Sequence, residues 1–596
     1  MPQPIIAGTG RLSDRLSLRP VLFCAALLCL GGLPVQSFAQ TQTTLSTKTT
    51  GSVFTPYSYS ITRKVEASHG AVVSAHPLAS MAGVSVLRQG GNAVDGAIAT
   101  QLALAVVYPA AGNIGGGGFM VAHLAKGENI ALDFREKAPA AATRDMYLDS
   151  SGNPRTDLSQ NGHLAAGVPG TIAGIFAALK YARLPIRTLI QPAIDLAENG
   201  FVITESEARN LNYTQNAFKK YNTVISVFVK EGGWKTGDTL VQKDLAGTLR
   251  RIRDNGAAGF YEGETARLIL AEMQRGKGII TAADLTQYEA KRRETAVFPY
   301  KKYSIVTMPL PGSGGVVLQQ MMKMVEDRPL ASYGFESVKA VHLMTEVERR
   351  AYADRAKFLG DRDFYAVPVK TLTSANYLKE RMSSFDPEKA GNSKDIQAGM
   401  ITSLSEETTH LNVIDDQGNA VAITTTLNGG YGNRVVVGGA GFFLNNEMDD
   451  FSVKPGIPNM YGAVGAEANA IAPGKRMLSS MTPTIVLDKG KVLLVVGTPG
   501  GTTITTSVFQ TLVDILEFGM SAEDAVNKPK FHHQWLPDEI FVEPGFPADT
   551  RDGLKKMGYT ISQRGAIGRT EVIKVLPGGK FEAVGDSRGD DTADGY

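Results

Sequence analysis

The sequence predicts a large protein of mixed α and β structure, and three observations support that fold class. The 596 residues are 43% hydrophobic and 20% charged, which is ordinary for a globular protein and too apolar for disorder. Helical periodicity dominates before residue 400, whereas short strand-like runs between glycine, asparagine and aspartate turns follow it. No proline- or serine-rich linker separates the two halves, which argues against two independent domains.

The individual elements follow from local patterns. Apolar residues at helical spacing predict helices over residues 81–88, 93–107, 171–181, 239–255 and 338–359. Four consecutive glycines at 115–118 lead into a predicted short strand over residues 119–123. After residue 400 helices are sparse, until a strand over 492–496 leads through a glycine turn into a helix over 503–518. The glycine runs fit neither a Walker A loop nor a dinucleotide-binding fingerprint.

Residues 1–39 have the pattern of a signal peptide. Arg11, Arg15 and Arg19 precede an apolar run of about 13 residues, and Ser37-Phe38-Ala39 supplies small residues for cleavage. A membrane span needs about 20 apolar residues, so the run is too short for an anchor. We expect residues 1–39 to be removed during export to the periplasm or medium, and residues 40–57, rich in threonine and serine, to form a disordered linker.

Charge and cysteine content exclude several classes of function. The formal net charge of +2 lies entirely within residues 1–39, so the remaining chain is neutral and gives no electrostatic case for binding nucleic acid or an anionic membrane. Both cysteines, Cys24 and Cys29, lie in the signal peptide, so the mature chain has no thiol nucleophile and no disulfide. His532-His533 lacks a metal-site pattern, and we expect neither a metal nor a cofactor.

A β-hairpin over residues 408–426 is the most informative segment. Two strand-like runs flank the turn Asp416-Gln417-Gly418, and that turn sets Thr408 opposite Thr426. Threonine is common in strands, so the pattern alone favours an ordinary hairpin over a catalytic one.

Six short motifs in the same order make the chain similar to the γ-glutamyltransferase (γ-glutamyl transpeptidase) family, from about His69 to Tyr596. They lie at residues 90–95, 132–136, 408–410, 445–451, 479–484 and 497–502. The resemblance implies an N-terminal-nucleophile hydrolase, in which one four-layer αββα sandwich spans residues 58–596. It also implies a zymogen that cuts itself between Glu407 and Thr408 into a large subunit (58–407) and a small, catalytic subunit (408–596).

The resemblance also implies the catalytic groups. Thr408 would be the nucleophile, with its own free α-amine as the base, and Thr426 would orient its hydroxyl. Backbone N–H groups of Gly500 and Gly501 would stabilise the oxyanion. His410 shares a strand face with Thr408, but the family gives it no role as a base, and we interpret it as structural.

The remaining site residues would bind the substrate headgroup. Arg135 would hold an α-carboxylate through its planar fork, helped by the hydroxyls of Ser479 and Ser480. Three residues would receive the α-ammonium group, namely Asn428, Glu447 and Asp450. Tyr461 lies in residues 455–465, which resemble the lid loop of many bacterial members of the family.

The expected activity is transfer of the γ-glutamyl group of glutathione or related amides to water, an amino acid or a dipeptide. Two alternatives remain open: an acylase of the same fold that cuts glutaryl or cephalosporin-type side chains, and an unprocessed, non-enzymatic binding protein. Glu447 stands where many bacterial members have glutamine, and Gly429-Gly430 replace bulkier residues, so specificity is open.

Overall fold

The computed structural model of this protein describes residues 55–396 and 408–596. The expected signal peptide, residues 40–54 of the expected linker, and Glu407 lie outside the described residues. Within the described residues, no helix is both long and apolar enough to cross a membrane.

Two seven-stranded sheets form the centre of the structure. Strands of sheet I follow the order Thr592–Gly595, Gly70–Ser74, Thr409–Asp415, Ala420–Thr426, Gly117–His123, Asn129–Asp133 and Lys291–Arg293. Strands of sheet II follow the order Lys64–Ala67, Phe581–Val584, Glu571–Val575, Lys491–Gly497, Thr484–Asp488, Tyr303–Thr307 and Ala296–Tyr300. Each sheet therefore contains strands from both sides of the proposed cut.

Three separate apolar cores show that the layers are stacked helix, sheet, sheet, helix. Because neighbouring side chains on a strand point to opposite faces, Leu494 and Val496 of sheet II pack against helices, whereas Val495 packs between the sheets. In sheet I, Leu411 and Val413 likewise face helices and leave Ile414 between the sheets. The four-layer αββα sandwich expected from the sequence is confirmed.

Helices cover both outer faces. The helices packed on sheet I are Pro77–Arg88, Ala93–Val107, Thr171–Ala178, Ile186–Asn199, Glu205–Tyr221, Lys243–Asn255, Ala258–Tyr261, Gly263–Gly276 and Ala282–Thr286. Those on the side of sheet II are Gly314–Val325, Leu330–Tyr333, Val338–Phe358, Val369–Leu372, Ala375–Arg381, Thr503–Leu516, Ala522–Asn527 and Ala548–Lys556. Smaller elements are the helix Thr156–Gln160, the 3₁₀ turns His163–Ala165, Leu179–Tyr181, Glu447–Asp450 and Glu467–Asn469, and the strands Phe201–Val202, Thr239–Leu240, Phe531–His532, Ile540–Val542 and Ile561–Gln563.

Most predicted helices lie where the periodicity indicated, within a few residues at each end. The prediction of one helix over residues 239–255 was wrong at its start, because that helix begins at Lys243. Thr239–Leu240 instead pairs with Phe201–Val202 as a two-stranded ribbon, and the apolar pattern continues across the turn between the two elements.

The predicted hairpin register is confirmed. Thr409 pairs with Thr425 and His410 with Thr424, so extension of the ladder sets Thr408 opposite Thr426. The turn is held by Asp415, whose Oδ1 accepts hydrogen bonds from the backbone N–H groups of Gln417 and Asn419 at 3.0 Å each. Gly418 supplies the left-handed conformation, with φ of 88°, that this turn requires.

Candidate active site

Thr408 immediately precedes the first strand of the hairpin, Thr409–Asp415, at the end of the space between the two sheets. The side-chain alternation that places Ile414 between the sheets directs Thr408 to the same face. Its Oγ1 lies 3.5 Å from Oγ1 of Thr426, and Thr426 Oγ1 also accepts a hydrogen bond of 2.7 Å from the backbone N–H of Asn428. The two hydroxyls that the sequence predicted to meet are therefore neighbours, and the loop after the second strand holds one of them.

His410 is fully committed to other partners. Asn412 uses Nδ2 to donate to the carbonyl of Glu571, so its Oδ1 accepts a hydrogen bond of 2.9 Å from Nε2 of His410. The other ring nitrogen, Nδ1, then accepts from the hydroxyl of Thr424, also at 2.9 Å. Burial lowers the pKa of His410 to about 4, so the ring stays neutral. These bonds leave no ring nitrogen to accept a proton from Thr408.

A glycine turn connects the strand Lys491–Gly497 to the helix Thr503–Leu516 beside Thr408. Gly500 and Gly501 have positive φ values of 133° and 52°, and a Cβ atom on Gly501 would lie 2.7 Å from the ring of Tyr461. Within the described residues, neither N–H group of this glycine pair donates to a protein acceptor. Free N–H groups near a helix N-terminus suit a developing oxyanion.

Arg135 forms the charged centre of the cavity. It is fully buried after the strand Asn129–Asp133, where its Nη1 donates to Glu447 and its Nη2 donates to Asp450. Both acids belong to the 3₁₀ turn Glu447–Asp450, so one turn presents two carboxylates to one guanidinium. Glu136 adds a third carboxylate 3.5 Å from Nη1 of Arg135.

Burial and ion pairing have opposite effects on the pKa of each group in this cluster. Burial raises the pKa values of Glu447 and Asp450, although Arg135 opposes the shift. Burial raises the pKa of Glu136 to about 8, which keeps this acid protonated at neutral pH. Burial alone would lower the pKa of Arg135, but Glu447, Asp450 and Glu136 together raise it. The cavity therefore contains a fixed cation beside two acids that can ionise.

Several polar atoms around this cluster have no protein partner among the described residues. Asn428 donates through Nδ2 to the carbonyl of Asn446 at 2.9 Å, and in the described part of the chain its Oδ1 accepts no hydrogen bond. Oε2 of Glu447 is buried and also unpartnered within the same ranges. These two acceptors suit an ammonium group. The predicted partners of the carboxylate, Ser479 and Ser480, line the same cavity.

Residues 455–465 cover the cavity and are fastened at several points. Tyr461 stacks over Gly501 and donates its hydroxyl to the carbonyl of Asn428. Asn459 accepts from the backbone N–H groups of Tyr461 and Ala463 and donates through Nδ2 to Asp450 at 2.9 Å. The loop therefore contacts Asp450, a residue predicted to bind the substrate, directly.

Gln534 fastens the same loop from outside. Its Nε2 donates to the carbonyls of Gly462 and Leu536, at 3.2 Å each. Its Oε1 accepts from the hydroxyl of Thr502 at 2.6 Å and from Nε2 of His532 at 2.9 Å. The carboxamide thus connects the covering loop to the residue that follows the glycine turn.

The structure brings nearly all the described site residues predicted from the sequence to one cavity. Its walls include Arg135, Thr408, Thr426, Asn428, Glu447, Asp450, Tyr461, Ser479, Ser480 and Gly501, with Gly500 adjacent in the same turn. Sequence reasoning missed three further polar wall residues, Arg355, Asn459 and Thr502. Arg355 lies within a long helix with no local motif, whereas Asn459 lies in the predicted lid and could have been proposed from it.

Comparisons with known proteins agree with this geometry. The profile of the family described as gamma-glutamyltranspeptidase matches residues 79–596. A glutathione hydrolase proenzyme of Escherichia coli (strain K12) is 45% identical over 550 residues, which are 91% of this chain and 95% of that protein.

Two solved structures are similar as well. The cephalosporin acylase from Bacillus halodurans superposes with a TM-score of 0.79 at 26% identity, over 91% of this chain and 99% of that one. A chain of the Helicobacter pylori gamma-glutamyltranspeptidase is 48% identical with a TM-score of 0.54, and the match covers 55% of this chain and 94% of that chain.

Proposed function

The chain belongs to the gamma-glutamyltranspeptidase family, and from that membership we propose that it is a γ-glutamyltransferase with glutathione hydrolase activity. It transfers the γ-glutamyl group of glutathione or related amides to water, an amino acid or a dipeptide. Thr408 carries the group as an ester between the two half-reactions.

The proposed chemistry depends on a free amine at Thr408. A threonine hydroxyl is a weak nucleophile until a base removes its proton. Cleavage of the Glu407–Thr408 bond would release an α-amine with an ordinary pKa of about 7.7–8, which suits a base near neutral pH. With both nitrogens of His410 engaged, this imidazole does not compete for that role.

In each half-reaction the α-amine of Thr408 accepts one proton and then returns it. Oγ1 of Thr408 attacks the γ-carbonyl while the α-amine takes the hydroxyl proton, and Gly500 and Gly501 donate to the oxyanion. The resulting α-ammonium group returns the proton to the leaving amine, which departs and leaves the ester. Water or an acceptor amine then attacks the ester carbonyl and loses a proton to the α-amine. The bond between the carbonyl carbon and Oγ1 of Thr408 breaks, and Oγ1 takes that proton back as a hydroxyl.

The charge pattern of the cavity is the observation that carries the substrate assignment. A γ-glutamyl donor ends in an α-carboxylate and an α-ammonium, and the cavity offers a guanidinium next to two carboxylates. We infer that Arg135, Ser479 and Ser480 bind the carboxylate, and that Asn428, Glu447 and Asp450 bind the ammonium. A glutaryl side chain has no ammonium, so an acylase would have no use for two buried acids.

We also propose the maturation and location of the protein. In the precursor, the hydroxyl of Thr408 would attack the carbonyl of Glu407 and displace the amide nitrogen of Thr408, so that an ester replaces the peptide bond. Water would then hydrolyse this ester, giving chains of residues 40–407 and 408–596. The basic and apolar pattern of residues 1–39 supports removal of a signal peptide and export to the periplasm or medium. The two chains would stay together because each sheet contains strands from both.

A kinetic comparison of two donors tests this function. Purified protein that migrates as two chains on a denaturing gel is given γ-glutamyl anilide or glutaryl anilide, and aniline release is measured with and without a dipeptide acceptor. We expect preference for the γ-glutamyl donor and formation of a γ-glutamyl dipeptide. Preference for the glutaryl donor would favour the acylase, and a single full-length band without turnover would favour the binding protein.

A further inference from the structure

A second guanidinium faces the cavity and, within the described residues, has no acid bonded to it. Arg355 lies near the end of the helix Val338–Phe358 and is 7% exposed, and it lines the cavity together with Thr408 and Ser480. Arg135 is engaged by two carboxylates, whereas Arg355 forms no ion pair with any acid in the described part of the chain. Asp450 acts on the charge of Arg355 at longer range but is itself bonded to Arg135, so the guanidinium of Arg355 is bonded directly to hydroxyl groups and, within the described ranges, to no acid.

The bonds that Arg355 does make lead to the predicted carboxylate-binding serines. Its Nη2 donates to Oγ of Ser480 at 3.0 Å, and its Nε donates to Oγ of Ser313 at 3.1 Å. Ser313 in turn donates its hydroxyl to the carbonyl of Ser479 at 2.6 Å. One guanidinium therefore holds both the side chain of Ser480 and, through Ser313, the backbone beside it.

The direction of these hydrogen bonds determines what Ser480 can do. A guanidinium only donates, so Oγ of Ser480 must be the acceptor in its bond with Arg355. The hydroxyl proton of Ser480 has no acceptor among the described residues. A hydroxyl whose oxygen is bonded to a cation and whose proton is free is a directed donor, and it is a stronger one than an isolated serine.

We propose that Arg355 is a positioning residue for the substrate carboxylate, which orients the hydroxyl of Ser480 toward that anion and supports its charge from behind. The inference rests on the proposed function, because it assumes a donor that carries an α-carboxylate next to Ser480. The carboxylate is then held by one cation directly, at Arg135, and by another through a hydroxyl. This arrangement accounts for a buried arginine whose bonds lead to serines rather than to an acid.

Two donors that differ only in the carboxylate test the proposal. γ-Glutamyl anilide carries both headgroup charges, whereas 4-aminobutyryl anilide keeps the ammonium and lacks the carboxylate. We expect Arg355→Met to raise KM for γ-glutamyl anilide by about tenfold while kcat changes by less than about threefold. We expect kcat/KM for 4-aminobutyryl anilide to stay within about threefold of the unsubstituted protein. An equal loss on both donors would overturn the proposal in favour of a purely structural arginine.

A double substitution tests whether Arg355 acts through Ser480. If it does, Arg355→Met added to Ser480→Ala raises KM for γ-glutamyl anilide by less than about twofold further. Fully multiplied effects of the two substitutions would contradict the proposal. If Ser480→Ala alone leaves KM unchanged, the assignment of Ser480 in the proposed function fails as well. If Ser480→Ala raises KM but Arg355→Met does not, only the inference about Arg355 is overturned.

Two further variants keep the test valid if Arg355→Met folds poorly. Arg355→Lys retains the charge but has a single ammonium that cannot hold both serines, and we expect a smaller rise in KM of about threefold. Lys357→Met removes a positive charge from an exposed position on the same helix and should leave KM unchanged. Each variant is first checked for cleavage into two chains. A rise in KM with Lys357→Met equal to that with Arg355→Met would attribute the effect to long-range charge and contradict the proposal.

Discussion

Arg135 and Asp450 are bonded to each other inside the cavity, although each is expected to bind an opposite end of the substrate headgroup. The same guanidinium also pairs with Glu447, so in the absence of a donor the cation and the two acids are bonded to one another. A zwitterionic headgroup can replace these contacts pair for pair, with its carboxylate on the arginine and its ammonium on the acids. A ligand with only one of the two charges would break ion pairs that it cannot restore.

Substitution of Asp450 by asparagine should separate γ-glutamyl from glutaryl donors. Asparagine keeps the shape and removes the charge that faces the ammonium, so we expect kcat/KM for γ-glutamyl anilide to fall by about tenfold or more, equal to about 1.4 kcal/mol. Glutaryl anilide carries no ammonium, and its turnover should stay the same or improve.

The matched control is Asp416→Asn, which makes the same charge change in the exposed hairpin turn and should affect neither donor. All variants are compared after cleavage into two chains has been verified. An equal fall of kcat/KM for both donors in Asp450→Asn would show that Asp450 does not bind an ammonium group.

The pH dependence of donor binding should contain a contribution from Glu136. Burial raises the pKa of this acid to about 8, so it is neutral below that pH and becomes a carboxylate beside Arg135 above it. The new negative charge competes with the substrate carboxylate, and KM for γ-glutamyl anilide should therefore rise as pH increases through about 8.

At pH 6 to 7 the KM of Glu136→Gln should equal that of the unsubstituted protein. At about pH 9 the KM of Glu136→Gln should have risen less than that of the unsubstituted protein. Titration of the substrate ammonium and of the Thr408 amine affects KM equally in the two proteins, so the difference between their KM values isolates the effect of Glu136. Identical KM profiles over the whole range would show that Glu136 does not ionise near Arg135.

The covering loop should loosen when Gln534 becomes glutamate. The carboxylate can still accept from Thr502 and His532, but it loses both N–H donors, including the one to the carbonyl of Gly462. We expect faster hydrogen exchange in residues 456–465 and a rise in KM for γ-glutamyl anilide of about threefold to tenfold.

Gln563→Glu makes the same change at an exposed position and serves as the control for charge. Unaltered exchange in residues 456–465 of Gln534→Glu would mean that Tyr461, Asn459 and the other contacts hold the loop without Gln534.

The fold and most residues of the candidate site could be predicted from the sequence, but the contacts between distant residues could not. The alternation around Leu411 and Val413 and the turn at Asp415 are local, and they correctly set Thr408 opposite Thr426. The bonds between Arg135 and Asp450 join residues 315 positions apart, and only the folded chain shows that they are made to each other.

Arg355 was missed for a physical reason. Its helix is buried on nearly all sides, so the sequence around Arg355 resembles that of an ordinary core helix. Its partners Ser313 and Ser480 lie on two loops that are distant in sequence. The sequence predicted that the helix Lys243–Asn255 begins at Thr239, because the two-residue strand Thr239–Leu240 is too short to interrupt the helical pattern of apolar residues. Glu407, the residue before the proposed cut, is outside the described residues and stays a prediction.

The mass of the chain that begins at Thr408 shows whether this residue carries the γ-glutamyl group during turnover. Cleaved protein is mixed with γ-glutamyl anilide, quenched in acid at early times and analysed by intact-mass spectrometry and peptide mapping, with Thr408→Ala and Thr408→Ser precursors analysed in parallel. We predict one added glutamyl group on Thr408 that disappears when a dipeptide acceptor is supplied, an uncleaved and inactive Thr408→Ala chain, and cleavage of Thr408→Ser. Cleavage of Thr408→Ala into the same two chains, or turnover without any glutamyl group on Thr408, would contradict the account.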